Sequence, residues 1–261
     1  MIVLSFSICL FLFVVIGVLS ATRAKKTSGD YLLAGSSVKP WLVGLSAVAT
    51  QNSGWMFIGQ IGFTYAVGLH SIWLMIGWIT GDLFTSFFVH KRLREQAEKR
   101  NILSFSGMLA NWHGEDYKIV RIIGAILTLA FLGTYAAAQL NAGSKALHVL
   151  FGWDYSYGAI IGAIMVLLYC VAGGIRASIW TDAAQSIVMV VAITIMMIVG
   201  INEIGGINQF ITDLHNVSPD YMSILPPDSG FGPIIGVLLF ALGWFFAGLG
   251  VIGQPHIMVR F

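Results

Sequence analysis

Residues 40–60 read PWLVGLSAVATQNSGWMFIGQ, an apolar stretch broken at its centre by Thr50-Gln51-Asn52-Ser53-Gly54. It lies in a run, residues 40–81, without a single charged side chain. That is about twice the ~20 residues one membrane-crossing helix requires. Four hydrogen-bonding side chains and a glycine weaken a helix at half-depth. Irregular backbone survives there only where protein or a water-filled cavity satisfies its polar groups. Two readings stay open at this point: side chains bonding across helices, or an interrupted helix lining a binding site.

The rest of the chain sets the context. Of 261 residues, 57% are hydrophobic and only 10% charged, against about 25% charged in soluble domains. This excludes a soluble enzyme, a disordered tail and a coiled coil. A net charge of +2 gives no reason to expect nucleic acid as a partner. The predicted fold class is an all-α polytopic membrane protein with about seven transmembrane helices. These are residues 1–22, two helices within 40–81 separated by a hinge at Gly68-Leu69-His70-Ser71, then 121–145, 155–174, 183–202 and 231–255. The basic cluster Arg23, Lys25 and Lys26 follows the first apolar run, so that run reads as an uncleaved span, not a signal peptide.

Orientation follows from the basic residues. With the N-terminus outside, 13 of the 14 fall on the inner side and only Lys145 lies near the outer one. The outer side then holds Asp154, Glu203, Asp213, Asp220 and Asp228, the last four in a long loop over residues 203–230.

A second interruption is predicted at Ala247-Gly248-Leu249-Gly250-Val251-Ile252-Gly253-Gln254-Pro255. Its glycines are equally compatible with close helix packing, but Pro255 must bend or end the helix. Paired broken helices point to the central site of a secondary transporter, where exposed carbonyls bind sodium. Asp182 reads by position as a helix cap. Asp82 must face a cavity or a partner. Gln139 and Asn141 read as packing groups. No cluster of metal ligands, phosphate-binding loop or nucleophile–base set is present, so no enzyme activity is expected.

Asp30-Tyr31-Leu32-Leu33-Ala34-Gly35, Pro40-Trp41, Ser53-Gly54-Trp55, Lys91-Arg92-Leu93-Arg94, Gly173-Gly174, Trp180-Thr181-Asp182, Gly253-Gln254-Pro255-His256 and Val259-Arg260-Phe261 occur in this order. Together they resemble the sodium:solute symporter family, especially its sodium/proline symporter branch. The resemblance implies a leucine-transporter-type inverted-repeat fold, of which this chain is the N-terminal part. Residues 1–22 would be a leading extra helix, 40–202 the first five-helix repeat, 203–230 an outer loop and 231–261 the truncated first helix of the second repeat.

It also implies sodium binding by Ala49, Asn52, Ser53 and Asp182, with Asp182 on the inward cation path. Solute binding would involve Gln51, Ser53, Gly54, Trp55, Gly250 and Gln254. The proline branch carries an aspartate where this chain has Gln51, an arginine at Ser36, and an aromatic pair at Ala247 and Val251. The implied function is symport of sodium, as co-transported ion, with a small organic solute, proline or another amino acid, by alternating access. The setting is the lipid bilayer of a plasma membrane, that of a bacterial inner membrane. The alternatives are a transporter-like sensory module of a signalling protein, or a sodium symporter for another solute class.

Overall fold

A computed structural model describes residues 2–25, 27–226 and 230–260. Met1, Lys26, Pro227, Asp228 and Phe261, which enter the sequence reading, lie outside these residues. The described chain is helical, with no strand among its residues. The helices are α1 (Ile2–Ser20), α2 (Ser28–Leu33), α3 (Pro40–Gln51), α4 (Ile61–Val67), α5 (Ile72–Thr85), α6 (Lys91–Lys99), α7 (Phe105–Ala110), α8 (Lys118–Phe151), α9 (Tyr155–Ile204), α10 (Ile207–Val217), α11 (Pro233–Leu249) and α12 (Pro255–Met258).

Among the described residues, five helical stretches are long and apolar enough to cross a membrane: Val3–Arg23, Ile58–Lys99, Lys118–Phe151, Tyr155–Ile204 and Pro233–Gly253. The seven spans expected from the sequence distribute over these and α3. At 12 residues, α3 is too short to cross alone, because the helix stops inside the pentad, at Gln51. The stretch Ile58–Lys99 is broken by a short turn at Gly68–Ser71, where Gly68 has φ +75°. The 50 residues of α9 hold two expected spans, divided at Gly174, whose φ of +58° and ψ of −144° are not helical.

The residues form two compact units. One comprises Met1–Gly54, Arg94–Ile187 and Pro255–Phe261, the other Trp55–Leu93 and Val188–Gln254.

In the first unit, Thr27 caps α2 by accepting from the Asp30 N–H at 3.2 Å. Asp30 in turn forms a buried ion pair with Arg176, the two side chains 4% and 6% exposed. Arg176 also donates to the Ala34 carbonyl at 2.8 Å and the Ser37 hydroxyl at 3.3 Å. The Lys25 backbone N–H, donating to Asp30 at 2.7 Å, is the main force holding this carboxyl below its ordinary pKa; Arg176 adds to it and burial opposes it. The ion pair fastens the segment before α3 onto α9 beside its Gly174 bend. There Tyr31 packs its carbonyl where a Cβ of residue 174 would stand.

In the second unit, α5 and α11 pack at backbone distance. A Cβ on Gly77 would lie 2.5 Å from the Ala241 carbonyl, and one on Gly81 or Gly248 would run into the Phe245 or Trp78 carbonyl. This is how small residues bring membrane helices together. The segment after α10 is fastened to the turn between α4 and α5. The Leu69 N–H donates to the Tyr221 carbonyl at 2.8 Å, the Tyr221 hydroxyl to the Tyr65 carbonyl at 3.0 Å, and the Trp73 indole to the Ile224 carbonyl at 2.8 Å.

Candidate functional site

The break after α3 is built from redirected backbone donors. In a continuing helix the Ser53 and Gly54 N–H groups would donate to Ala49 and Thr50. Instead Ser53 donates to the Gln51 carbonyl at 2.8 Å, and Gly54 to the Gln139 side-chain oxygen on α8 at 2.8 Å. Asn52, at φ −75° and ψ +76°, ends the helix with its N–H on the Val48 carbonyl. The Ala49 and Thr50 carbonyls thereby lose their helical donors. A helix end with released carbonyls is the backbone chemistry that suits a small hard cation. Glycine is needed at 54: a Cβ there would lie 2.9 Å from the Ala142 Cβ and 3.3 Å from the Gln139 oxygen.

Asp182 lies within α9, eight positions past the Gly174 bend, and does not cap a helix start. Its Oδ2 accepts from Ser46 of α3 at 2.8 Å, from Ser178 one turn back at 3.2 Å, and from Arg260 at 3.0 Å. Arg260 follows α12. It reinforces the cluster by donating to the Ser46 and Ser178 hydroxyls at 2.8 and 3.0 Å, and to the His256 carbonyl. A further bond, from the Ser186 hydroxyl to the Leu45 carbonyl at 3.0 Å, joins α9 to α3. Asp182 therefore meets α3, the helix that carries Ala49 and leads into Asn52 and Ser53, through Ser46, six positions before Asn52.

Of the expected solute residues, Gln51, Ser53 and Gly54 lie in the first unit and Trp55, Gly250 and Gln254 in the second. Within the second unit, α11 ends at Leu249 and tightens into a short turn, Gly250–Gly253; Gln254 is extended, at φ −105° and ψ +95°, before Pro255 starts α12. The glycines divide by role. Gly248 packs against α5, whereas a Cβ on Gly250 or Gly253 would meet nothing within 4 Å. The Trp55 ring lies 6.3 Å from Trp78 and 6.2 Å from Trp244. Trp244 stands one turn before Ala247 on α11.

Sequence reasoning did not single out Ser46 or Ser178, read Gln139 as a packing group and gave Arg260 no role beyond its motif. Two signals were present: the i, i+4 spacing of Ser178 and Asp182, and the expense of an amide such as Gln139 in an apolar helix.

Several helices long and apolar enough to cross a membrane define a polytopic membrane protein. A family model, the sodium:solute symporter family, matches residues 31–261, and the chain belongs to that family. It is 35% identical over 241 residues to the high-affinity proline transporter PutP of Bacillus subtilis, covering 91% of this chain and 49% of that protein. It is 30% identical over 249 residues to the sodium/proline symporter of Staphylococcus aureus (strain JH9), covering 95% of this chain and 47% of that protein. The chain spans about half the length of these curated relatives. No solved structure matches it significantly.

Proposed function

We propose that this chain serves sodium-coupled symport of a small organic solute, proline or a related amino acid, across a plasma membrane with its N-terminus outside. The observation that carries this reading is the break after α3, where redirected N–H groups release the Ala49 and Thr50 carbonyls. The second interruption, over Gly250–Gln254, is its counterpart. The relatives' names, proline transporter and sodium/proline symporter, supply the solute and the ion.

Sodium is cargo. Its ligands on this reading are the carbonyls of Ala49 and Asn52 and the Ser53 hydroxyl, with the Asp182 carboxylate on its inward path. The solute is held by Gln51, Ser53, Gly54 and Trp55 and by Gly250 and Gln254. Residues 40–202 act as one five-helix repeat, residues 1–22 as a preceding helix and residues 231–261 as the opening of the inverted second repeat. Ser46, Asp182 and Arg260 hold the segments around both breaks, and alternating access is rearrangement around them. One charge crossing 100 mV releases about 2.3 kcal/mol, enough for roughly 40-fold solute accumulation at about 1.4 kcal/mol per tenfold.

The test is binding of radiolabelled proline to the purified protein in nanodiscs across a sodium series. Affinity that rises with sodium and not with potassium supports the reading; affinity indifferent to sodium contradicts it.

A further inference from the structure

We propose that Gln139 is a specificity-determining residue whose side-chain amide nitrogen reads the carboxylate of the solute. The inference rests on the reading of the chain as an amino-acid symporter and names the chemistry of its solute site.

A primary amide carries one acceptor oxygen and two N–H donors in a rigid plane. The Gln139 oxygen is fixed by the Gly54 N–H at 2.8 Å, at the point where the helix is broken. That bond commits the oxygen and leaves the two N–H groups of the nitrogen for another partner. Nε2 makes no hydrogen bond among the described residues, and the side chain is only half-buried. Gln139 therefore covers one backbone donor of the break and presents two side-chain donors beside Gln51, Ser53 and Gly54. Nε2 is not enclosed by the described residues, so an arriving acceptor can reach its two N–H groups. A carboxylate is the strongest acceptor an amino-acid solute offers. Gly54 makes the arrangement possible, since any side chain there would push α8 and this amide away.

The two roles of the amide separate by substitution. Gln139→Glu keeps an oxygen for the Gly54 N–H but replaces the donors with a second, negatively charged oxygen. Gln139→Met removes both. The experiment measures binding of L-proline and L-prolinamide to the wild-type protein and both variants, in nanodiscs with saturating sodium, alongside their melting temperatures. A lost hydrogen bond to a charged group corresponds to roughly ten- to a hundredfold weaker binding. The expected result is that loss or more for proline in the Glu variant, with prolinamide much less affected and wild-type melting retained. The Met variant shows the same contrast between the two probes and stands alone if the Glu variant does not fold. Proline binding restored to the wild-type level by Glu would make Gln139 a cap of the break and overturn the assignment. So would equal losses for the two probes in both variants. Wild-type protein that binds neither probe at any sodium concentration would overturn the symport reading as well, which separates the two failures.

Discussion

Arg260 and Asp182, 78 positions apart, form an ion pair at 3.0 Å with side chains 8% and 16% exposed. The pair sits among Ser46 of α3, Ser178 of α9 and the segment that follows α12. It is the point at which the chain beyond the second helix break is anchored to the helix that carries the first. Removing one partner of such a pair leaves an uncompensated buried charge, which costs about 3–5 kcal/mol. Arg260→Ala should therefore lower the unfolding free energy by about that amount. The double replacement Asp182→Asn with Arg260→Gln should cost clearly less than the two single replacements summed. Thermal unfolding of wild type, Arg260→Ala, the two other single variants and the double variant in one detergent measures both; strict additivity would mean that the two residues do not act as a pair.

A second ion pair carries a pH signature. The Asp30 carboxyl is held below its ordinary range by the Lys25 N–H and by Arg176. A carboxyl depressed in the folded state adds stability that is complete above its unfolded value. That stability is lost as pH falls through the folded one. Melting temperature should hold down to about pH 4, the ordinary aspartate range, and fall below it. Asp30→Asn should start lower at neutral pH, with Arg176 left buried and unpaired, and fall less steeply on acidification. A melting scan from pH 7 to 3 on both proteins checks the sign and the window.

Two glycines hold positions that no side chain can occupy. At Gly81 the Cβ of an alanine would strike the Phe245 carbonyl, and at Gly174, with φ +58°, the Tyr31 carbonyl. Gly81→Ala should separate α5 from α11 and cost roughly 1–3 kcal/mol, the usual penalty for overpacking. Gly174→Ala adds backbone strain to the same kind of clash and should cost more. Gly250→Ala, with nothing within 4 Å of the added carbon, should leave folding intact. Fluorescence-detected gel filtration after heating orders the three; equal losses would remove the distinction drawn between packing and open glycines.

How far the sequence revealed this follows from what each residue does. The pentad at 50–54 and the stretch at 247–255 were legible because polar and glycine residues inside apolar runs are costly, hence informative. The turn at Gly68–Ser71 was expected as a hinge for the same reason, whereas residue 174 was expected only as the end of a span. The partners of Asp182 were not. Ser46 and Arg260 reach it from segments 136 and 78 positions away, and neither residue type is unusual where it stands. Gln139 was visible as a polar residue in a membrane helix, yet its role depends on one backbone N–H, 85 positions upstream. No periodicity reports such a contact. The continuation of α9 through residues 175–182 also escaped the sequence, since hydropathy reads that polar stretch as a loop.

The central claim, sodium-coupled solute movement around the α3 break, is tested most directly by proline uptake into proteoliposomes that contain the protein. Uptake is compared with an inward sodium gradient, with an inward potassium gradient, and for Ser53→Ala and Asp182→Asn. The account predicts concentrative uptake with sodium only, and a raised sodium requirement in both variants. Uptake that is equal with either cation, or sodium dependence unchanged in both variants, would contradict it.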